Sequence, residues 1–305
     1  MKLYDCCMYF DEDLVLDLRL NILNDFVDNF VIAEATKDHT GKDKKLNFNV
    51  NNFSKFKDKI TYIIVEDLPM NIKSYKKDWP VHHLRDQHQR NALAKGYKDC
   101  SEEDLIMISD IDEIPDPKKM SEFKIKNKYG CFMQKNFQSK LNLLNVTDKY
   151  WMGTKICQKK FLKSPQWLRN IKTAKPAFWK FYKPRQPQLI YDGGWHFSFL
   201  KDAYGISKKI KSYSHSEYNK PEFTDESKIE ERIKNRGDND DSSTALRLKN
   251  AKEELSYAYE YKHMIINDSF EMALEILYGI ISNQKIDGKL STKELKEFLS
   301  NLLSS

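Results

Sequence analysis

The sequence predicts an α/β fold with a helical C-terminal region, and three observations carry that expectation. Leu105–Ile108 is a continuous apolar run with no polar alternation, the pattern of a strand buried on both faces. Ile60–Val65 repeats the pattern. Between and before these runs lie segments with helical spacing, so strand, helix, strand, strand, helix and strand follow one another before residue 115.

Taken in order, Lys2–Phe10 mixes aromatic and small apolar residues and reads as a first strand. Asp13–Phe30 places Leu14, Leu18, Ile22, Leu23 and Phe26 at helical spacing, an amphipathic helix. Phe30–Ala33 is a short strand ending in Glu34, Ala35 and Thr36, and Asp38–Lys45 is a polar loop. Ile60–Val65 closes on Glu66, Asp67 and Pro69. Leu84–Lys95 is a helix with Gly96 as its stop. Past residue 115 the texture changes. Gly130–Leu144 is strand-like, Trp151, Gly153 and Thr154 open a half rich in Trp, Lys and Pro, and Tyr191–Phe199 is a glycine turn followed by an alternating aromatic segment. From Glu226 the chain reads as helical, with a break near Gly237 and long stretches at Thr244–Ile266 and Ser269–Ile281. We divide it at 1–235 and 236–305, the second part packing on the core or on a partner subunit.

The Leu105 run stops at Ser109, and Asp110, Asp112 and Glu113 follow at once. In an extended chain Asp110 and Asp112 point the same way. Open α/β sheets bind ligands beyond the carboxyl ends of their strands. Carboxylates crowded there repel unless a cation lies between them, and hard oxygen ligands suit Mg²⁺ or Mn²⁺, often together with substrate phosphates. Pro115 and Pro117 keep the acidic turn from continuing as a regular helix.

Composition sets the frame. A chain of 305 residues and 36.1 kDa with 40% hydrophobic residues can bury a large core. No apolar run approaches the roughly 20 residues that span a bilayer. The N-terminal MKLYDCCMYFDEDL has acids where a signal peptide needs an apolar core. The expectation is a cytoplasmic protein of a bacterium or a virus-infected cell, touching membranes only peripherally. The net charge of +6 is spread among interleaved acids, a solvated basic surface rather than a nucleic-acid groove. Such a rim suits an anionic small substrate. Five cysteines without zinc spacing read as reduced thiols.

Six stretches in order resemble one family: YDCCMYFDEDLVLDLRLNIL, FVIAEATKDHTGK, KITYIIVED, RDQHQRNAL, DLIMISDIDEIP, and GGWHFSFL with KKIKSYSHSEY. Over roughly residues 1–235 the chain resembles the family 17 glycosyltransferases, which include β-1,4-mannosyl-glycoprotein N-acetylglucosaminyltransferases. Asp86 departs from the Glu more usual there. The resemblance implies a GT-A type, Rossmann-like domain and a metal-dependent, inverting transfer from a nucleotide sugar, with UDP-GlcNAc favoured, to a glycan hydroxyl. It implies Asp112 as direct metal ligand and Asp110 at the ribose or the metal's water shell. His196 and His215 are candidates for the metal or the diphosphate, with Lys208, Lys209 and Lys211 as further diphosphate contacts.

Other roles follow from chemistry and position. Glu34 and Thr36 end a strand where a Rossmann-like sheet faces its nucleotide. Arg90 offers a planar fork to phosphate or carboxylate. An inverting transfer needs a general base, for which Asp192 is the first choice and Glu217 the second. Asn283–Glu294 resembles a calcium loop, but Lys285 puts a cation at a ligand position, so it reads as a linker. Two other functions stay open: a carbohydrate-binding scaffold that lost catalysis, against which the retained Asp110 and Asp112 argue, and a metal-dependent phosphohydrolase or nucleotidyltransferase.

Overall fold

The computed structural model describes residues 1–70, 81–140, 143–145, 147–175, 184, 186–212, 220–235 and 276–277. The chain divides into two compact units, Met1–Thr224 and Asp225–Ser305. In chain order the first holds β1 (Leu3–Met8), α1 (Asp13–Leu23), β2 (Asn29–Ala35), β3 (Ile60–Val65), α2 (Val81–Ala92), β4 (Leu105–Ser109), β5 (Glu113–Pro115), α3 (Pro117–Met120), β6 (Tyr129–Gln138) and β7 (Tyr150–Gln158). It continues with α4 (Pro165–Arg169), β8 (Gln188–Ile190), β9 (Gly194–Ser198), α5 (Ala203–Ser212) and α6 (Pro221–Thr224). The described part of the second unit includes α7 (Glu226–Asn235). The two long stretches expected to be helical after Thr244, and the calcium-like loop, lie outside the described residues apart from 276–277, which are helical.

A nine-stranded mixed sheet runs in the order β3-β2-β1-β4-β7-β6-β9-β5, with β8 on β6. This is an α/β fold. The four strands β3, β2, β1 and β4 are mutually parallel. Their order reverses between β1 and β4, the kind of switch point at which open α/β sheets form a ligand crevice. From β4 outward the sheet turns antiparallel, through β7 and then β6. The acidic turn therefore stands where the two halves meet.

The buried run at β4 behaves as its composition requires, with Ile106, Met107 and Ile108 fully buried. Helix α1 ends at Leu23, short of the expected Phe30. Asp28 makes the difference, because its carboxylate accepts the Leu3 amide at 2.7 Å and pins the chain into β2. Leu16, Leu20 and Leu23 face the core, while Leu14 and Phe26 are 40% and 50% exposed. Gly96 is no stop; it lies inside a 3₁₀ turn, Leu93–Tyr97. A Cβ there would sit 2.3 Å from Val31 Cγ1, so glycine lets this turn pack on β2. All five cysteines are free. Burial lifts the Cys7 and Cys157 thiols to about 12, which keeps them unreactive. Among the described residues no helix is long and apolar enough to cross a membrane.

Candidate active site

The acidic turn is held from beneath by one buried cation. Arg19 comes off the core face of α1 and is fully buried. Its guanidinium donates to both Asp5 oxygens at 2.7 and 2.6 Å and to Ser109 Oγ. It also donates to the carbonyls of Asp110, Ile111 and Glu113 at 3.1, 3.1 and 2.9 Å. Three carbonyls of one turn converge on one side chain, which fixes the turn's backbone and offsets the carboxylates above it.

Asp110 belongs to an arginine network. Its Oδ1 accepts from Arg90 at 3.0 Å and its Oδ2 from Arg169 at 3.3 Å. Burial alone would push this carboxyl up, but Arg169 and Arg90 hold it well below the usual carboxylate range. Arg169, at the end of α4, also grips Glu113 with two bonds of 2.8 Å. Arg90, on α2, grips Asp86 at 2.8 and 3.2 Å. The aspartate at position 86 thus still pairs with its arginine. Glu113 is completely buried and also accepts from Trp151 Nε1 at 2.7 Å and from the Asp110 amide at 3.0 Å.

Asp112 has different company. Its Oδ1 lies 3.8 Å from His196 Nε2 and its Oδ2 3.3 Å from Lys209 Nζ. His196 reaches it because β9 pairs antiparallel with β5, register Glu113↔His196. Its Nδ1 meets Asn136 Oδ1 at 3.0 Å. With the amide so oriented Nδ1 donates to Asn136, which leaves Nε2 directed toward Asp112. The imidazole stacks on Trp151 at 4.4 Å between centroids, which fixes its plane. Lys209 also lies 3.7 Å from Glu12, and Lys201 and Lys208 bond Asp11. The β1 and β4 termini are thereby bridged by lysines of α5 and the residues just before it. Glu12, Val15, Asp112, Phe197, Ile206 and Lys209 line a small recess here.

Among the described residues no three or more His, Cys, Asp or Glu side chains are grouped to hold a metal. Asp110, expected as a ligand, has both oxygens committed to arginines. Asp112 and His196 fit an ion with two protein ligands whose remaining positions go to water and phosphate oxygens, the habit of Mg²⁺-type sites. Asn136 supplies the outer hydrogen bond that such a histidine needs.

The other expected residues are scattered. Glu34 is fully buried and accepts from Lys44, from the Asn47 and Phe48 amides at 2.8 and 3.0 Å, and from Tyr62 at 2.9 Å. It anchors the polar loop and offers no oxygen to a nucleotide. Thr36 is half-buried, and its amide donates to the Val65 carbonyl at 3.0 Å. Asp192 lies on the other face of the sheet. Its carboxylate accepts from Tyr150 at 3.1 Å and lies 3.6 Å from Lys135. Lys135 and Asn136 are consecutive on β6 and point to opposite faces. Asn136 holds His196, so strand alternation puts the Lys135 contact of Asp192 and the Asp112 crevice on opposite faces of β6. His215 and Glu217 lie outside the described residues.

The sequence profile named Glycosyltransferase family 17 matches residues 1–242. The chain belongs to glycosyltransferase family 17. This family 17 chain also matches short parts of guanylate kinases. Identity is 33% over 76 residues with that of Colwellia psychrerythraea, covering 25% of the chain and 35% of the kinase. It is 38% over 53 residues with that of Rickettsia typhi, covering 17% and 27%, and 34% over 76 residues with that of Vibrio cholerae, covering 25% and 37%. The chain thus spans little more than a third of these kinases at most. Nor does its sequence contain the G-x-x-x-x-G-K-[ST] run with which P-loop enzymes cradle phosphates.

Arg19, Asp5, Glu113's lock and Trp151 escaped the sequence reading. For Arg19 a signal exists: Leu16, Arg19, Leu20 and Leu23 share the core stripe of α1, and Asp5 interrupts a buried strand.

Proposed function

We propose that this family 17 chain is a metal-dependent, inverting glycosyltransferase of GT-A type that moves a sugar, GlcNAc from UDP-GlcNAc, to a glycan hydroxyl. One observation carries the reading: Asp112 and His196 converge at the switch point between β1 and β4. A divalent ion, Mn²⁺ or Mg²⁺, supplies charge neutralisation for the leaving diphosphate. Asp112 and His196 Nε2 would hold it. Asn136 and Trp151 together fix the orientation of the imidazole. Lys201, Lys208 and Lys209 are close enough to the crevice to exchange their carboxylate partners for phosphate oxygens. Arg90 and Arg169 act through Asp110 and Glu113, keeping the turn rigid so that little reorganisation accompanies charge development.

In the reaction the acceptor oxygen attacks the anomeric carbon from the face opposite the diphosphate. The bond from that carbon to the phosphate oxygen breaks, its electron pair leaves with the diphosphate, and the configuration inverts. The acceptor's proton passes to a carboxylate base, a role that stays with Glu217. Nucleoside diphosphate release is the test, measured over a panel of nucleotide sugars with and without Mn²⁺. Release that needs both a glycan acceptor and Mn²⁺ is expected. Glycan binding with no turnover would leave a scaffold protein instead. Release of monophosphate or inorganic phosphate would make it a hydrolase.

A further inference from the structure

Trp151 is fixed on two sides and presented on a third. Its register partner on β6 is Gln134. Gln134 and Asn136 share a face by strand alternation, so Trp151 stands on the Asp112 side of the sheet. One ring face lies against His196, nearly parallel at 15°. The indole N–H is spent on Glu113 at 2.7 Å, and Glu113 is itself locked by Arg169. The ring cannot turn without breaking both. Yet the residue is 40% exposed. The stack covers one face and the hydrogen bond one edge, so the exposed area belongs to the opposite face and the remaining edge. Leaving a large indole open forgoes burial that normally stabilises a fold. A rigid, open aromatic face beside a catalytic crevice is a stacking platform.

Two kinds of ring have flat apolar faces and polar rims: pyranoses and nucleobases. Position separates them. The nucleotide half of such a sheet lies beyond the parallel strands, on the β1 side of β4. Trp151 lies on β7, on the antiparallel side, with His196 between it and Asp112. We propose that the open face of Trp151 stacks the acceptor glycan, setting a pyranose ring next to the Asp112–His196 pair. This rests on the glycosyl-transfer reading above, and names where the second substrate binds. The face of Tyr150, Tyr191 and Asp192 is excluded, because it looks away from the crevice.

The test is saturation-transfer NMR on the full chain with methyl β-N-acetylglucosaminide, methyl β-glucoside and methyl α-mannoside, each with and without UDP and Mn²⁺. The wild type should saturate the ring C–H protons of at least one glycoside. Trp151→Ala should weaken that glycoside about tenfold or more, roughly 1.4 kcal/mol per tenfold. The loss should appear without UDP and Mn²⁺ as well as with them, which separates direct stacking from an effect relayed through His196. Trp151→Phe, which keeps a ring but not the N–H, should stay within about threefold of wild type and guards against a misfolded Ala variant. Three results would overturn the proposal: no glycoside saturated by the wild type, equal glycoside affinity in Trp151→Ala, or a glycoside loss seen only when UDP and Mn²⁺ are present. Trp151-dependent glycoside binding in a chain that turns over no nucleotide sugar would uphold the platform while refuting transferase activity.

Discussion

Asp110 and Asp112 are two residues apart on one turn, yet they live in different chemical worlds. Asp110 is gripped by Arg90 and Arg169, and its neighbour Glu113 is sealed beneath them. Asp112 faces an imidazole at 3.8 Å and a lysine at 3.3 Å, beside a recess. The first side is an arginine network, and the second is a more deeply buried carboxylate set between an imidazole and a lysine. An acidic motif therefore need not be a set of equivalent ligands. On the function proposed above, one carboxylate holds the frame and the other serves the chemistry.

The harshest way to break this contrast is to remove the cation beneath both carboxylates. Arg19→Met leaves Asp5 buried and unpaired and frees three carbonyls. It should cost about 3–5 kcal/mol in denaturant unfolding. Asp5→Leu with Arg19→Met should recover much of that, because an apolar pair needs no partner. A single variant as stable as wild type would show that the turn holds itself.

Asp110→Asn tests the frame side alone. It should cost about 2–3 kcal/mol at neutral pH, the range for hydrogen bonds to charged groups. The folded-state pKa is depressed, so the carboxylate's contribution is fully present above the unfolded value near ~3.9 and is lost as pH falls toward the lower folded one. The stability gap between wild type and Asp110→Asn should thus close as pH drops below about 4. A gap that stays constant into acid would mean the carboxylate charge is not what Arg90 and Arg169 recognise.

A smaller effect sharpens the frame from behind. Lys155 is buried and donates to the Ile171 carbonyl at 2.6 Å and to that of Arg169. Burial pushes its ammonium down to about 8, and the nearby Arg169 charge acts in the same direction. Between that value and its unfolded one the unfolded chain binds more protons, so stability should rise with pH. The gain is about 1 kcal/mol from pH 7 to 9. Lys155→Met should remove that rise, which melting curves at the two pH values would register. The smallest effect belongs to Asp192→Asn, which should change stability by less than about 0.5 kcal/mol. Asparagine also tolerates the positive φ of 49° at this turn. Its metal-dependent nucleotide affinity should equal that of wild type, and a large loss would put Asp192 back at the crevice.

How much of this was readable follows from range. The β4 run at Leu105 declared itself because a strand covered on both faces needs apolar side chains throughout, whereas the apolar β3 run ends the sheet order and leaves Ile64 exposed. The acidic turn was legible for the same reason, as polarity appearing abruptly at a strand end. The division of labour within it was not. Arg169 lies 59 residues from Asp110 and Trp151 38 from Glu113, and nothing local announces such pairings. Glu34 ended a strand as expected, but only the fold revealed that Lys44, Asn47, Phe48 and Tyr62 take up its oxygens. For Asp192 a glycine turn conceals in the sequence which face its residues join. Phe26 matched a helical period that ends at Leu23, and Leu14 lies within the helix but on its exposed face.

The contrast between the two aspartates is most directly tested by calorimetry of Mn²⁺ with UDP, titrated into wild type, Asp112→Asn and Asp110→Asn at neutral pH. Asp112→Asn should lose metal-dependent nucleotide affinity by about a hundredfold, a loss on the scale of removing a charge-stabilising group from an active site, with its melting temperature nearly unchanged. Asp110→Asn should melt earlier and keep most of that affinity. Asp112→Asn binding Mn²⁺ and UDP as wild type does, with the loss falling on Asp110→Asn instead, would contradict the division of roles.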